Sequence, residues 1–115
     1  MTGMEIRELQ QRLDAFARER DWERYHTPKN LAMALAGEVG ELLEVFQWLT
    51  PEESADVMNH PERAEAVSHE MADVLAYLLR LADVLDLDIA QALREKMELN
   101  ALKYPAPAAR DGDGA

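Results

Sequence analysis

Helix starts punctuate this sequence at short intervals, and strand signals are nearly absent. Thr27-Pro28 places a cap and an N1 proline ahead of a stretch predicted to be helical to about Leu49. Thr50-Pro51-Glu52-Glu53 combines a cap, an N1 proline and a capping box, and opens a short helix or turn. His60-Pro61 starts a long helix to about Asp86, and Asp88 with Gln91 caps a last one. That last helix must stop near Tyr104, because Pro105 disfavours helix in the residue before it. Upstream, Thr2 and Glu5 form a capping box ahead of a periodic stretch to about Arg20. Four substantial helices with short links predict an all-α fold, an antiparallel four-helix bundle. One helical domain is expected over residues 1–104, and a disordered tail over 105–115, where nothing is available to bury.

Charge narrows the function. The chain carries 23 acidic residues against 12 basic ones, a net charge of −11. That balance argues against nucleic acid and anionic membranes as partners, since both demand basic surface. Cysteine is absent, which excludes a disulfide framework, thiolate zinc sites and thiol nucleophiles. No apolar run approaches a membrane span, and no signal peptide heads the sequence, so the expected location is the cytoplasm.

The remaining question is whether the excess acid is solvated surface or a site. Eight acid pairs lie at i,i+3, so a single E-x-x-E carries little weight. Position on the helical wheel separates them. In the second long helix Leu31, Leu35, Leu42, Phe46 and Leu49 form one apolar stripe; Glu38 falls inside it, with Glu41 and Trp48 on its flank. In the third, Val67, Met71, Val74, Leu78 and Leu85 form the stripe, bordered by Glu70 and Tyr77, with Asp73 a little further round. Compensation is missing: from Asn30 to Glu62 there are seven acids and no Lys or Arg. A buried carboxylate must be paired, protonated or bound to metal. Either each pair is a solvated face with Glu38 neutralised in the fold, or two pairs from adjacent helices converge as oxygen ligands suited to Mg²⁺ or Mn²⁺. Both pairs together with the basic gap favour metal.

The last helix continues its stripe of Ile89 and Leu93 into Lys96 and Asn100, with Lys103 and Tyr104 beside them. Lys96 there fits an anionic ligand, or snorkels out to an acid; the wheel does not separate the two. Gly37 and Gly40 cost about 1 kcal/mol each inside a helix, and either admit a close neighbour beside the carboxylates or are simply tolerated. Trp22 lies in a polar stretch and packs over the bundle end in its ordinary reading. Glu23-x-x-His26 has the spacing of a di-iron ligand pair, but it lacks a second copy and precedes the Thr27-Pro28 start, so it reads as chance. His69 reads as structural. Glycine-rich phosphate loops and nucleophile elbows are absent.

With these residues in view, GEVGELLEVFQW (Gly37–Trp48) followed by HEMADVLAYLL (His69–Leu79) resembles the all-α MazG-like nucleoside triphosphate pyrophosphohydrolases. The fuller run from Phe16 to Trp48, with KMELNALKYP at the end, is similar to the dCTP pyrophosphatase branch. The likeness covers roughly residues 13–105. It implies Mg²⁺-dependent hydrolysis of a nucleoside triphosphate, dCTP or a related pyrimidine deoxynucleotide, to monophosphate and pyrophosphate. Carried over by position, it makes Glu38, Glu41, Glu70 and Asp73 metal ligands. It assigns Lys96, Asn100 and Tyr104 to the phosphates, and Trp22, Trp48 and Tyr77 to the base. Glu41 or Glu44 would take the proton of the attacking water, and Lys96 would stabilise the departing pyrophosphate. The dCTP-selective members resembled here carry a histidine where this chain has Leu13, which puts strict cytosine recognition in question. The resemblance also implies a homodimer or homotetramer with sites near subunit contacts. Competing expectations are a superfamily member acting on dUTP or phosphoribosyl-ATP, a catalytically silent helical interaction module, and a metal-binding bundle without hydrolysis.

Overall fold

The computed structural model describes residues 3–107. The described residues form five α-helices: α1 (Gly3–Glu19), α2 (Pro28–Phe46), a short α3 (Pro51–Ala55), α4 (Pro61–Val84) and α5 (Ile89–Lys103). Single 3₁₀ turns at Glu23–Tyr25 and Val57–Asn59 join them, and no strand occurs among the described residues. None of these helices is long and apolar enough to cross a membrane.

The caps form as their chemistry dictates. Thr27 Oγ1 accepts from the Asn30 amide at 3.2 Å, with Pro28 as the first helical residue of α2. At Thr50 the full reciprocal box is present: the Glu53 amide donates to Thr50 Oγ1 and the Thr50 amide to Glu53 Oε1. Asp88 Oδ1 accepts from the Gln91 amide at 3.0 Å. The Thr2 half of the first predicted box, and the tail beyond residue 107, lie outside the described residues; Pro105–Pro107 are irregular and exposed.

Helices α1 and α4 end without glycine. Asp21 and Asp86 adopt φ of 59° and 53°, and each closes a six-to-one bond, Trp22 amide to Ala17 carbonyl and Leu87 amide to Ala82 carbonyl. These are Schellman caps with Asp in the left-handed position. The first of them sets Trp22 back over the helix it has just left, where its ring meets Phe16 edge-on with centroids 5.6 Å apart.

Helices α2 and α4 share the main interface, and α1 lies against α4. Leu31, Val67, Leu79, Ala82, Ala17 and Val57 are the buried apolar residues. The α2 stripe holds as expected, with Leu31 buried and Leu35, Leu42, Phe46 and Leu49 half-buried. The α4 stripe is corrected at two positions: Met71 and Leu85 are more than half exposed. Polar contacts clasp α1 to α4: Gln10 Nε2 donates to the Leu79 carbonyl at 3.0 Å, and Arg7 pairs with Asp83 at 2.7 Å.

The four-helix bundle does not close within one chain. Helix α5 contributes no buried residue, and Leu93, Met97, Leu99 and Leu102 along it are all exposed. Ile89, Leu93 and Met97 recur at i+4 spacing, but Leu99 and Leu102 fall on other sides of the helix, so its apolar residues form no single stripe to dock on the body. The radius of gyration is 18.3 Å, against about 13 Å for a compact chain of this length. Lys96 and Asn100, expected at core-facing positions, are therefore exposed.

Candidate metal centre and adjoining cavity

Glu38 and Glu41 stand one turn apart on α2, and Glu70 faces them from α4. One carboxylate oxygen from each of the three lies within 4.8 Å of the other two. Glu38 Oε2 and Glu70 Oε2 are enclosed and have no hydrogen-bond partner. Burial, followed by the approach of the Glu70 carboxyl and the charges of Glu41 and Asp73, pushes Glu38 up to about 7. Burial and the approach of Glu41 likewise push Glu70 upward. Among the described residues none of these acids enters an ion pair. Carboxylates this close cannot all ionise without a proton or a cation between them. Enclosed, unpartnered oxygens from hard carboxylate donors fit a divalent cation of the Mg²⁺ or Mn²⁺ class.

Asp73, one turn beyond Glu70, lies outside the three-acid group, but its charge reaches both Glu38 and Glu70. It also lines a cavity of about 280 Å³ that opens between α1, α4 and the 3₁₀ turn. Trp22 and Tyr77 line the same cavity, with Phe16 and Leu13. Two of the three aromatics expected around a base are thus gathered next to the acids. Trp48 is not: it follows the end of α2 and is 86% exposed. Glu44 is exposed and outside the group, as are Lys96 and Asn100 on α5 and Tyr104 just beyond its end. Gly37 and Gly40 have open space where a Cβ would project, so no helix of the same chain exploits them for close approach.

The cavity holds a cluster that the sequence reading passed over. Arg80 on α4 is only 5% exposed. Its Nη1 donates to Asp14 Oδ1 at 2.6 Å, and its Nε donates to His26 Nδ1 at 3.0 Å. Asp14, which also accepts from Arg18 at 2.8 Å, is held below the usual carboxylate range by those two arginines. The signal was present in the spacing: Asp73, Tyr77 and Arg80 recur at i, i+4 and i+7 on one face of α4. The Glu23-x-x-His26 spacing is indeed no helical ligand pair, since Glu23 sits in the 3₁₀ turn and His26 follows it. His69 is exposed and apart from both clusters.

Comparison with known proteins gives this arrangement a family. The MazG-like family model matches residues 34–113. Human dCTP pyrophosphatase 1 is 48% identical over 95 residues, 83% of this chain and 56% of that protein; the mouse protein of the same name is 46% identical over the same span. The chain thus spans little more than half the length of these curated relatives. A crystal structure of a pyrophosphatase from Archaeoglobus fulgidus superposes with a TM-score of 0.81 at 45% identity, covering 92% of this chain and 95% of that one. The chain belongs to the MazG-like family.

Proposed function

We propose that the protein is a Mg²⁺-dependent nucleoside triphosphate pyrophosphohydrolase acting on dCTP or a related pyrimidine deoxynucleotide. The carrying observation is the Glu38–Glu41–Glu70 group, with two enclosed oxygens lacking a partner beside an aromatic-walled cavity. The names of its relatives, dCTP pyrophosphatases among them, point to the same chemistry.

Glu38, Glu41 and Glu70 would hold the cation, with Asp73 completing the set from the cavity side. A bound Mg²⁺ or Mn²⁺ supplies charge neutralisation at the phosphates and a more acidic water. Trp22 and Tyr77 would stack the base, which aims the α-phosphorus at the acids. The attacking water loses its proton to a carboxylate oxygen of Glu41 or Glu44, both exposed and therefore able to pass it on to solvent. The new bond forms between water oxygen and the α-phosphorus while the α–β bridging bond breaks, and pyrophosphate leaves with the bridging oxygen.

Lys96, Asn100 and Tyr104 would receive that pyrophosphate, in the site of a neighbouring copy. Helix α5 has exposed apolar residues along its length and no buried one, which supports a homodimer or homotetramer in which α5 completes a partner's helix packing. Trp48 would join the base in the same assembled state. This reading places the enzyme in the cytoplasm alongside the nucleotide pool.

Pyrophosphate release measured over all eight canonical nucleoside triphosphates, with Mg²⁺ and with EDTA, tests the proposal. Release from dCTP or another pyrimidine deoxynucleotide, abolished by EDTA, is expected. Release that persists unchanged in EDTA would sink the mechanism, and none from any of the eight would sink the activity.

A further inference from the structure

Trp22 is tied to α1 in two ways. Its amide donates to the Ala17 carbonyl at 2.8 Å, and its ring meets Phe16 edge-on. Neither contact fixes how far the ring stands from Tyr77, which lines the same cavity from α4. One hydrogen bond bears on that spacing. Arg80 Nε donates to His26 Nδ1 at 3.0 Å, and among the described residues no other hydrogen bond or ion pair joins Trp22–His26 to α4. The 3₁₀ turn couples His26 to Trp22: the Tyr25 amide donates to the Trp22 carbonyl at 2.8 Å, and the His26 amide to the Glu23 carbonyl at 3.1 Å. Arg80 is itself fixed, being 5% exposed with Nη1 on Asp14 Oδ1 at 2.6 Å. The three walls of the cavity, α1, α4 and this connection, thus meet at one guanidinium. A guanidinium only donates, so His26 Nδ1 must accept, and the neutral ring carries its proton on Nε2, turned away from Arg80.

Resting on the pyrophosphohydrolase reading, in which Trp22 stacks the base, we propose that His26 is a positioning residue: its Nδ1, accepting from Arg80, sets the spacing of Trp22 from Tyr77. The ring acts through Trp22 and needs no contact with the nucleotide. A tryptophan held beforehand spares the ordering cost that a loose one would impose on binding. Acid breaks the tie. A proton on Nδ1 turns the acceptor into a donor facing another donor, and sets two cations side by side. The groups around the ring are Arg80, with Asp73 and Tyr77 on the same wall of α4, and Asp14 and Arg18 of α1 behind Arg80. Glu23 belongs to its own turn, and Lys29 in the first turn of α2 is exposed. Burial, then the Arg80 charge, holds the ring below the ordinary histidine range against the pull of Glu23. Once protonated, the ring is drawn to Glu23, whose enclosed Oε2 has no partner.

Two substitutions and two readouts test this on the full chain. His26→Leu removes the acceptor and keeps the Asp14–Arg80 pair. His26→Asn restores an acceptor oxygen at the place of Nδ1, one that does not titrate and has nothing where Nε2–H stood. In Mg²⁺ buffer at neutral pH, His26→Leu should raise KM for the preferred triphosphate about tenfold, the worth of a weakened base stack, with kcat nearly unchanged. His26→Asn should return KM close to the wild-type value. The second readout needs no turnover. Trp22 and Trp48 are the two tryptophans of the chain, so in a Trp48→Phe background, used for spectroscopy alone, emission reports on Trp22. Acrylamide quenching should rise in His26→Leu, and in the parent as pH falls through the His26 titration. His26→Asn should match the parent at neutral pH and lose the acid step. Unchanged KM or unchanged quenching in a folded His26→Leu, a KM that His26→Asn fails to rescue, or an acid step of the same size in His26→Asn would overturn the proposal. The acid comparison decides it if His26→Leu fails to fold. A merely structural His26 would lower the melting temperature and leave KM and the Trp22 signal alone. If no triphosphate is hydrolysed, the pyrophosphohydrolase reading falls and quenching decides the positioning; if hydrolysis proceeds while His26→Leu moves neither readout, the reverse holds.

Discussion

Helix α4 carries two charged clusters about three turns apart, and they treat burial in opposite ways. Around Arg80 the charges are mostly answered: Asp14 accepts, His26 accepts, and Asp83 stands 3.7 Å away, while Glu23, whose charge reaches His26, keeps one enclosed oxygen without a partner. Around Glu70 nothing answers: three carboxylates converge, two oxygens are enclosed without partners, and no Lys or Arg takes part. A protein tolerates an uncompensated buried charge only when something else supplies the compensation. The paired cluster therefore holds the fold together and shapes a cavity, and the unpaired one is poised for a cation.

The contrast is broken most severely by exchanging the losses. On the proposed function, Glu70→Gln should lower kcat/KM for the preferred nucleotide by at least about 100-fold, since it would remove a ligand rather than a supporting contact. The same change should leave the metal-free melting temperature unchanged or raised, because it relieves repulsion. Arg80→Met should do the opposite to stability. It strands Asp14 and the His26 acceptor, at a cost of about 2 kcal/mol, below the range of fully buried pairs because Asp14 keeps Arg18 and some solvent. Urea denaturation of both variants without metal checks the reversal.

Opposite pH slopes sharpen the same contrast. Glu38 is raised in the folded state to about 7. A group whose folded value lies above its unfolded one stabilises the protein at low pH and loses that contribution as pH climbs through the folded value. Metal-free protein should therefore lose stability between about pH 4.5 and pH 7 through this group, and Glu38→Gln should flatten that slope. Asp14 is lowered by Arg18 and Arg80. Its contribution is present above the ordinary carboxylate range and is lost as pH falls through the depressed folded value. Asp14→Asn should remove the acid-side loss alone, as melting curves across pH would show.

The smallest effect concerns the face of α2 beside the acids. A Cβ at Gly37 meets nothing within 4 Å in the single chain, so Gly37→Ala should stabilise an isolated chain by about 1 kcal/mol through helix propensity. A loss of stability instead, strengthening with protein concentration, would show that a second copy packs against that face.

Much of this was legible in advance, for reasons that differ by element. The starts of α2, α3 and α5 were readable because Thr27, Thr50 and Asp88 cap by local hydrogen bonds that need no tertiary partner. Glu38 stood out because an acid inside an apolar stripe with no base nearby is anomalous at the level of sequence alone. Arg80 was missed because its partners, Asp14 and His26, lie 66 and 54 residues away, and a lone arginine on a long helix resembles an ordinary exposed charge. The end of α1 was legible to within a residue, about Arg20 against Glu19, but its left-handed cap was not, because it uses Asp21 rather than glycine. Helix α5 was expected to join the bundle on the strength of Ile89 and Leu93, yet its later apolar residues do not share one face, and periodicity says nothing about which copy a helix packs on.

The central claim is that Glu38, Glu41 and Glu70 form a cation site. Titrating Mg²⁺ into the wild type and into Glu70→Gln by isothermal calorimetry tests it most directly. The account predicts saturable binding to the wild type, weakened at least about tenfold in the variant. Equal Mg²⁺ binding by both proteins, or none by either, would contradict it.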